Sequence, residues 1–242
     1  MADLPSLRDR LGALTQARVA LGRSGQGLPT AALLDFQLDH ARARDAVHTP
    51  LETEGFAEAI GRPVIEVQSR ARDRADYLRR PDLGRMLNPD DAAKLGRSDA
   101  TLALVVADGL SAAAIHAHAA PLVTTLIDRL PDWSIAPIVL ARQARVALGD
   151  AIGEALGVEL VVVLIGERPG LSAPDSLGAY LTWQPRIGRR DSERNCVSNI
   201  RPPHGLSYAG AADVIARLLR AARQQRMTGV DLKDGGPLLA SA

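Results

Sequence analysis

The run Leu160-Val161-Val162-Val163-Leu164-Ile165, stopped by Gly166, constrains this chain more than any other stretch. It is too short for a buried helix and apolar on both alternating faces. Such a run reads as a strand enclosed within a parallel sheet. The character then flips within one residue. Glu167 and Arg168 stand where the strand's carboxyl end should open, and Pro169-Gly170 turns the chain. In open α/β sheets this edge is where ligands bind.

The same strand signal recurs elsewhere in the chain. Thr101 to Ala107 and Ile135 to Leu140 read as strands, followed by helices to about Leu130 and from Val146 to Leu156. Gly178 to Trp183 suggests a further strand. Ser207 can cap a last helix that turns Ala212, Ile215, Leu218, Leu219 and Ala222 inward. Strands alternating with helices indicate βαβ units. The expected fold is α/β, a Rossmann-like parallel sheet flanked by helices, preceded by an N-terminal helical region. The expected division is 1–99 as a helical interface region and 100–242 as the sheet domain.

Residues 1–99 read as helix and loop. A glycine-rich loop spans 21–29, Thr30 suits an N-cap, and Ala31 to Val47 reads as a helix stopped by Pro50. Its inward stripe would be Leu34, Leu38 and Ala41. Val67, Ala71, Ala75 and Leu78 recur at helical spacing and predict a second helix ending before Pro81. Asn88-Pro89-Asp90-Asp91 predicts a short helix with proline in its first turn, closed by Gly96.

Several function classes are excluded. Lys plus Arg number 29 and Asp plus Glu 28, and the balance holds in both halves, so no half is basic enough for nucleic acid. Hydrophobic residues make up 46%, enough for a large core. A single cysteine, Cys196, forbids an internal disulfide and fits a reducing compartment. The leading residues hold no apolar signal segment and no 18-residue apolar run exists, so the expected location is the cytoplasm, without membrane contact. The loop from Gly22 to Gly27 matches neither phosphate-binding glycine pattern. No Gly-x-Ser-x-Gly elbow occurs. His116 and His118 are two apart on a helix and so diverge, and His40 and His48 lack a carboxylate at ligand spacing, so no metal site is expected.

Three places remain as candidates. Asp108-Gly109-Leu110-Ser111 closes a strand, with Asp108 able to point into the crevice and Ser111 able to cap the next helix. It is either a ligand loop or a generic βα turn. Cys196 lies in Glu193-Arg194-Asn195-Cys196-Val197-Ser198-Asn199-Ile200-Arg201-Pro202-Pro203, which reads as a loop whose Asn and Ser suit hydrogen bonding to a ligand amide. The arginine-rich stretches 39–48 and 70–80 are either solvated faces or interfaces, since guanidinium groups fork onto carboxylates and stack.

Longer motifs add a resemblance. Ala-Arg-Val-Ala-Leu-Gly-Arg-Ser-Gly at 17–25, Phe-Gln-Leu-Asp-His-Ala-Arg-Ala-Arg-Asp-Ala-Val at 36–47 and Val-Val-Ala-Asp-Gly-Leu-Ser at 105–111 occur in order. Leu-Ile-Gly-Glu-Arg-Pro-Gly-Leu at 164–171, Asp-Ser-Leu at 175–177 and Asn-Cys-Val-Ser-Asn-Ile-Arg-Pro at 195–202 follow. Across nearly its whole length the chain resembles the small (light) subunit of ethanolamine ammonia-lyase. The resemblance implies a subunit of an adenosylcobalamin-dependent carbon–nitrogen lyase that converts ethanolamine to acetaldehyde and ammonia. It implies a large-subunit partner, a (β/α)₈ barrel that binds substrate, with the cofactor held between the two. It places cofactor contacts on a backbone carbonyl at Val146, on Glu167 and on Cys196, with no catalytic residue and no metal ligand in this chain. No Asp-x-His-x-x-Gly motif is present to replace the cofactor's lower base, so base-on binding is expected. Many members carry a longer leading segment that in some bacteria directs them to a microcompartment. Here the family-like part begins within the first twenty residues, so encapsulation is not expected. The competing readings are a stand-alone flavodoxin-like nucleotide- or phosphate-binding protein and a purely structural interaction subunit.

Overall fold

A computed structural model describes residues 7–15, 18–19 and 21–233. Ala17 and Ala20 of the 17–25 motif, and the leading residues 1–6, lie outside the described residues. The elements in chain order are helices α1 (Leu7–Leu14), α2 (Thr30–His48) and α3 (Phe56–Ile60), strand β1 (Val64–Gln68), then α4 (Arg74–Arg79) and α5 (Pro89–Ala92). They continue with β2 (Leu102–Ala107), α6 (Ala112–Asp128), β3 (Ile138–Arg142), α7 (Leu148–Leu156), β4 (Leu160–Gly166), β5 (Leu177–Trp183), β6 (Arg194–Ile200) and α8 (Tyr208–Gln225).

The six strands form one sheet in the order β1-β3-β2-β4-β5-β6. β1, β3, β2 and β4 run parallel, and β5 and β6 are antiparallel to their neighbours. The sheet is therefore mixed, a correction to the expected parallel sheet. The cause is connection length. Segments 167–176 and 184–193 are too short for the crossover that a parallel return requires. β4 is buried along its whole length, parallel to β2 on one side and antiparallel to β5 on the other.

Two apolar layers sandwich the sheet. On one face Leu104, Val106, Val162 and Leu181 pack against Ile115 and Leu122 of α6 and Ile215 and Leu219 of α8. On the other, Val105, Val139 and Val163 pack against Leu148 and Ile152 of α7. Gly149 lets α7 sit close to β4, since a Cβ there would fall 2.2 Å from Cγ2 of Val163. α7 packs on β4 and β2. Beyond it the same face of β5 and β6 carries Tyr180 and Cys196, half-buried and exposed respectively. This leaves a ledge.

Two strands were not foreseen. The helical spacing of Val67 and Ala71 is coincidental, because Val64 to Gln68 is β1, an edge strand parallel to β3. Pro63 precedes it and Val64, Ile65 and Val67 are β-branched, the composition of a strand. The helix of this region is only Arg74–Arg79, capped by Asp73, whose Oδ1 accepts from the Asp76 N–H at 2.8 Å. The sheet thus takes its edge from the first hundred residues. The Cys196 segment, read as a loop, is β6. An edge strand tolerates the outward polar residues that made it look irregular.

Smaller differences have local causes. β3 begins at Ile138 rather than Ile135, because Pro137 cannot donate to the ladder. Pro29, not Thr30, occupies the N-cap of α2. Leu34 and Leu38, expected to face inward, are 58% and 49% exposed, and Ala46 is the buried residue of this helix. The short helix begins as expected, with the Asp90 N–H donating to Oδ1 of Asn88, but ends at Ala92. Ser207 caps α8 through the Gly210 N–H at 3.1 Å, and Ala212, Ile215, Leu218, Leu219 and Ala222 are all buried.

Candidate functional site

Val146, Glu167 and Cys196 come from three separated segments, the β3–α7 turn, the end of β4 and the middle of β6. Folding gathers them around one side chain, Tyr180. A cavity of about 400 Å³ is lined by Arg145, Val146, Tyr180 and Cys196. A second, of about 420 Å³, is lined by Arg145, Val146, Glu167, Arg168 and Tyr180. Together they form the concave ledge beyond α7.

Glu167 is held in place. Its Oε2 accepts from the hydroxyl of Ser176 at 2.5 Å and from the Asn199 N–H at 3.3 Å, and its Oε1 accepts from the hydroxyl of Ser198 at 2.5 Å. A carboxylate offers about four acceptor positions, so one on Oε1 remains. Gly178 makes the room, since a Cβ there would sit 2.9 Å from Oε1. The carboxylate thus ties the end of β4 to β5 and β6 and keeps one free acceptor.

Cys196 faces Tyr180 across the β5–β6 ladder. It is solvent-exposed but recessed against neighbouring protein. That crowding pushes its thiol up and the charge of Glu167 adds to the rise, while the Tyr180 hydroxyl works against it. Burial likewise raises the Tyr180 phenol, reinforced by Cys196 and Glu167. Both groups are neutral near pH 7. A protonated thiol is a weak hydrogen-bond donor and a poor nucleophile.

Val146 is placed by a brace that the sequence hid. Tyr77 is fully buried, and its hydroxyl donates to the Ala144 carbonyl at 3.1 Å. The Arg74 and Arg145 guanidinium groups lie 4.7 and 4.4 Å from its ring centroid. Arg74 also donates to the carbonyls of Val47 and Gly109, at 2.6 and 2.8 Å. It is an internal strut, whereas Arg72 and Arg80 pair with Asp76 and Asp82 at the surface. The Val146 carbonyl accepts the Gly149 N–H at 3.0 Å and retains a second lone pair.

Other expectations at the site are corrected. Asp108 does not point into the crevice. It is 2% exposed, and its two oxygens accept from the backbone N–H groups of Gln143 and Ala144 at 2.8 and 2.9 Å. It shapes the turn that carries Val146. Gly109, at φ +55°, packs so closely that a Cβ would fall 2.2 Å from the Gly166 oxygen. Ser111 does cap α6, by accepting from the Ala114 N–H at 3.2 Å, and its hydroxyl donates to the Pro174 carbonyl. Asn195 is not available to a ligand amide, because its side chain bonds Gly229 and Leu232 of the following tail. Ser198 is engaged by Glu167. His116 accepts the Glu52 N–H, and His118 is buried with its Nδ1 2.8 Å from the Tyr208 hydroxyl. The loop at 22–27 is a tight turn closed by two backbone bonds between Ser24 and Gly27.

Tyr180, Arg145, Ser176 and the Tyr77 brace were missed. Ser176 sat within the Asp-Ser-Leu motif and could have been suspected. Tyr180 could not, because its pairing with Cys196 depends on strand register.

A sequence model of the ethanolamine ammonia-lyase light chain (EutC) matches residues 6–233. The chain belongs to this family. Proteins named ethanolamine ammonia-lyase small subunit are similar to it along most of its length. The one from Rhodopseudomonas palustris is 57% identical over 244 residues, covering 98% of this chain and 93% of its own. That from Azotobacter vinelandii is 53% identical over 238 residues, covering 93% and 87%. That from Bradyrhizobium diazoefficiens is 57% identical over 233 residues, covering 93% and 89%. Membership in the ethanolamine ammonia-lyase light chain family gives no support to a stand-alone nucleotide- or phosphate-binding protein. Among the described residues no helix is long and apolar enough to cross a membrane.

Proposed function

We propose that this chain is the cofactor-holding subunit of an ethanolamine ammonia-lyase, working with a barrel-shaped large subunit to convert ethanolamine to acetaldehyde and ammonia. The observation that carries the reading is the convergence of Val146, Glu167 and Cys196 on one ledge around Tyr180. In this reading the sheet is a Rossmann-like cradle whose two antiparallel strands extend the supporting surface. Residues 100–242 form the cobalamin-binding domain with β1 added at its edge, and residues 1–99 otherwise serve the interface.

The donor set fits a corrin, a broad disc rimmed with amide side chains. The Val146 carbonyl and the spare Glu167 lone pair accept amide N–H groups, and the Cys196 thiol can donate weakly to an amide oxygen. The Tyr180 ring supplies an apolar patch between them. Adenosylcobalamin, when bound, supplies radical chemistry through its cobalt–carbon bond. What this chain contributes is position. Three anchored contacts hold the disc against a rigid sheet, and a partner laid over the ledge excludes water. Binding is base-on, since the chain contains no Asp-x-His-x-x-Gly motif.

The large subunit also accounts for an otherwise costly surface. Leu33, Leu34, Phe36 and Leu38 of α2 are each 40% or more exposed. Contiguous apolar exposure of this kind marks an interaction surface. The location that goes with this reading is the cytoplasm, a reducing compartment that suits a chain with a single cysteine.

Co-purification with the large subunit, followed by addition of adenosylcobalamin and ethanolamine, should yield acetaldehyde. Absence of bound corrinoid in an assembled complex would overturn the reading. A nitrogen-coupling spectrum of the bound cofactor assigning a histidine to cobalt would overturn the base-on assignment alone.

A further inference from the structure

We infer that Arg145 anchors an anionic group of the bound ligand, the phosphodiester of the cofactor's nucleotide loop; this rests on the corrin reading above and deepens it. Arg145 lines both cavities of the ledge and occupies the corner where they meet. It is held there. Its guanidinium stacks 4.4 Å from the Tyr77 ring centroid, and its backbone N–H donates to the Gly84 carbonyl at 2.8 Å. Gly84 closes the space behind it, since a Cβ there would fall 3.0 Å from Cγ of Arg145.

Its charge has no answering carboxylate. Among the described residues its side chain makes no hydrogen bond or ion pair, and its Nε is buried with no partner. The rim repeats the pattern. Arg85 in one cavity and Arg168 in the other also lack a carboxylate partner among the described residues. The nearby acids do not compensate. Glu167 is engaged by Ser176, Ser198 and Asn199, and Asp191 lies 3.5 Å from Nε of Arg194.

A guanidinium fixed at the corner of a concave site, its charge answered by no carboxylate, is ready to receive an anion through its terminal nitrogens. Its planar fork matches two phosphate oxygens. The corrin rim offers only neutral amides, so the acceptor of matching charge on the proposed ligand is its phosphodiester.

The test uses two corrins that differ in the phosphate alone, cobinamide and cobinamide phosphate. Their affinities for the assembled complex of this chain with its large subunit are read by spectral titration. The wild-type complex should prefer the phosphate form by about tenfold or more, the worth of one charge-assisted bond. Arg145→Met should abolish that preference and leave cobinamide affinity within about twofold, while Arg145→Lys should keep a reduced preference. Equal wild-type affinity for the two probes overturns the inference and leaves the corrin reading standing. So does an Arg145→Met variant that loses both probes equally or keeps the full preference. If Arg145→Met fails to assemble, an undiminished preference in Arg145→Lys overturns it instead. A wild-type complex that binds neither probe overturns the corrin reading and this inference together.

Discussion

Tyr180 and Cys196 are register partners across the antiparallel β5–β6 pair, and both face the ledge that α7 leaves uncovered. The thiol nevertheless stays protonated, because protein crowding and the Glu167 charge raise it more than the Tyr180 hydroxyl lowers it. Alkylation of Cys196 by iodoacetamide should therefore be slow at pH 7 and should accelerate only above the usual thiol range. A fast reaction that is flat between pH 6 and 8 would reveal a thiolate and contradict this assignment. Cys196→Ala should change stability by less than about 1 kcal/mol, since the residue is exposed.

Glu167 ties three segments together and in the proposed function also meets the corrin, and two variants separate these tasks. Glu167→Ala strands the buried Ser176 hydroxyl, while the exposed Ser198 and Asn199 turn to water, and should cost about 1–3 kcal/mol in urea unfolding. Glu167→Gln keeps the shape, and both hydroxyls can rotate to suit the amide. It should unfold within about 1 kcal/mol of wild type yet bind cyanocobalamin about tenfold more weakly in the assembled complex. Unchanged corrin affinity in Glu167→Gln would leave the residue a purely structural tie.

Arg194 staples the edge strand to α7. Its two terminal nitrogens reach the two oxygens of Asp150 at 2.6 and 2.7 Å, with both side chains 2% exposed. Burial alone would lower the guanidinium, but the bond and charge of Asp150 outweigh it and hold Arg194 charged. Removing one partner leaves the other buried and unpaired. Arg194→Ala should cost about 3–5 kcal/mol, and Arg194→Met combined with Asp150→Leu should cost much less. Denaturant midpoints of the two variants test this; equal losses would show that the charges do not act as a pair.

His118 should make stability sensitive to mild acid. Burial lowers it from the usual histidine range, with Asp175 opposing. The unfolded chain then binds the proton more readily than the folded one. The contribution is complete above the unfolded histidine value of about 6.5 and declines as pH falls toward the lower folded value. Melting temperature should fall between pH 7.5 and 5.5, and His118→Gln should flatten that decline. An identical decline in the variant would assign the sensitivity to other groups.

The elements legible from sequence were those with a strong local pattern. β2, β4 and α8 could be read because a continuous apolar run or a helical stripe is a property of neighbours in the chain. β1 and β6 were missed because both lie at sheet edges. There a strand keeps polar residues outward, and Glu66, Cys196 and Ser198 break the apolar signal. Leu34 and Leu38 failed in the opposite sense. They form a helical stripe, yet in this chain the stripe is left uncovered.

By itself the sequence determined the βα alternation, the buried β4, the abrupt charge at Glu167 and the family to which the chain belongs. These follow from residue order, since periodicity and motif spacing are one-dimensional. Tertiary structure alone decided that Val146, Glu167 and Cys196 meet at Tyr180, that Asp108 turns inward to hold the Gln143–Ala144 turn, and that Arg145 is fixed on Tyr77 without a counter-charge. Each of these depends on strand register and on which face α7 covers. Both are set by connection length and packing between segments distant along the chain.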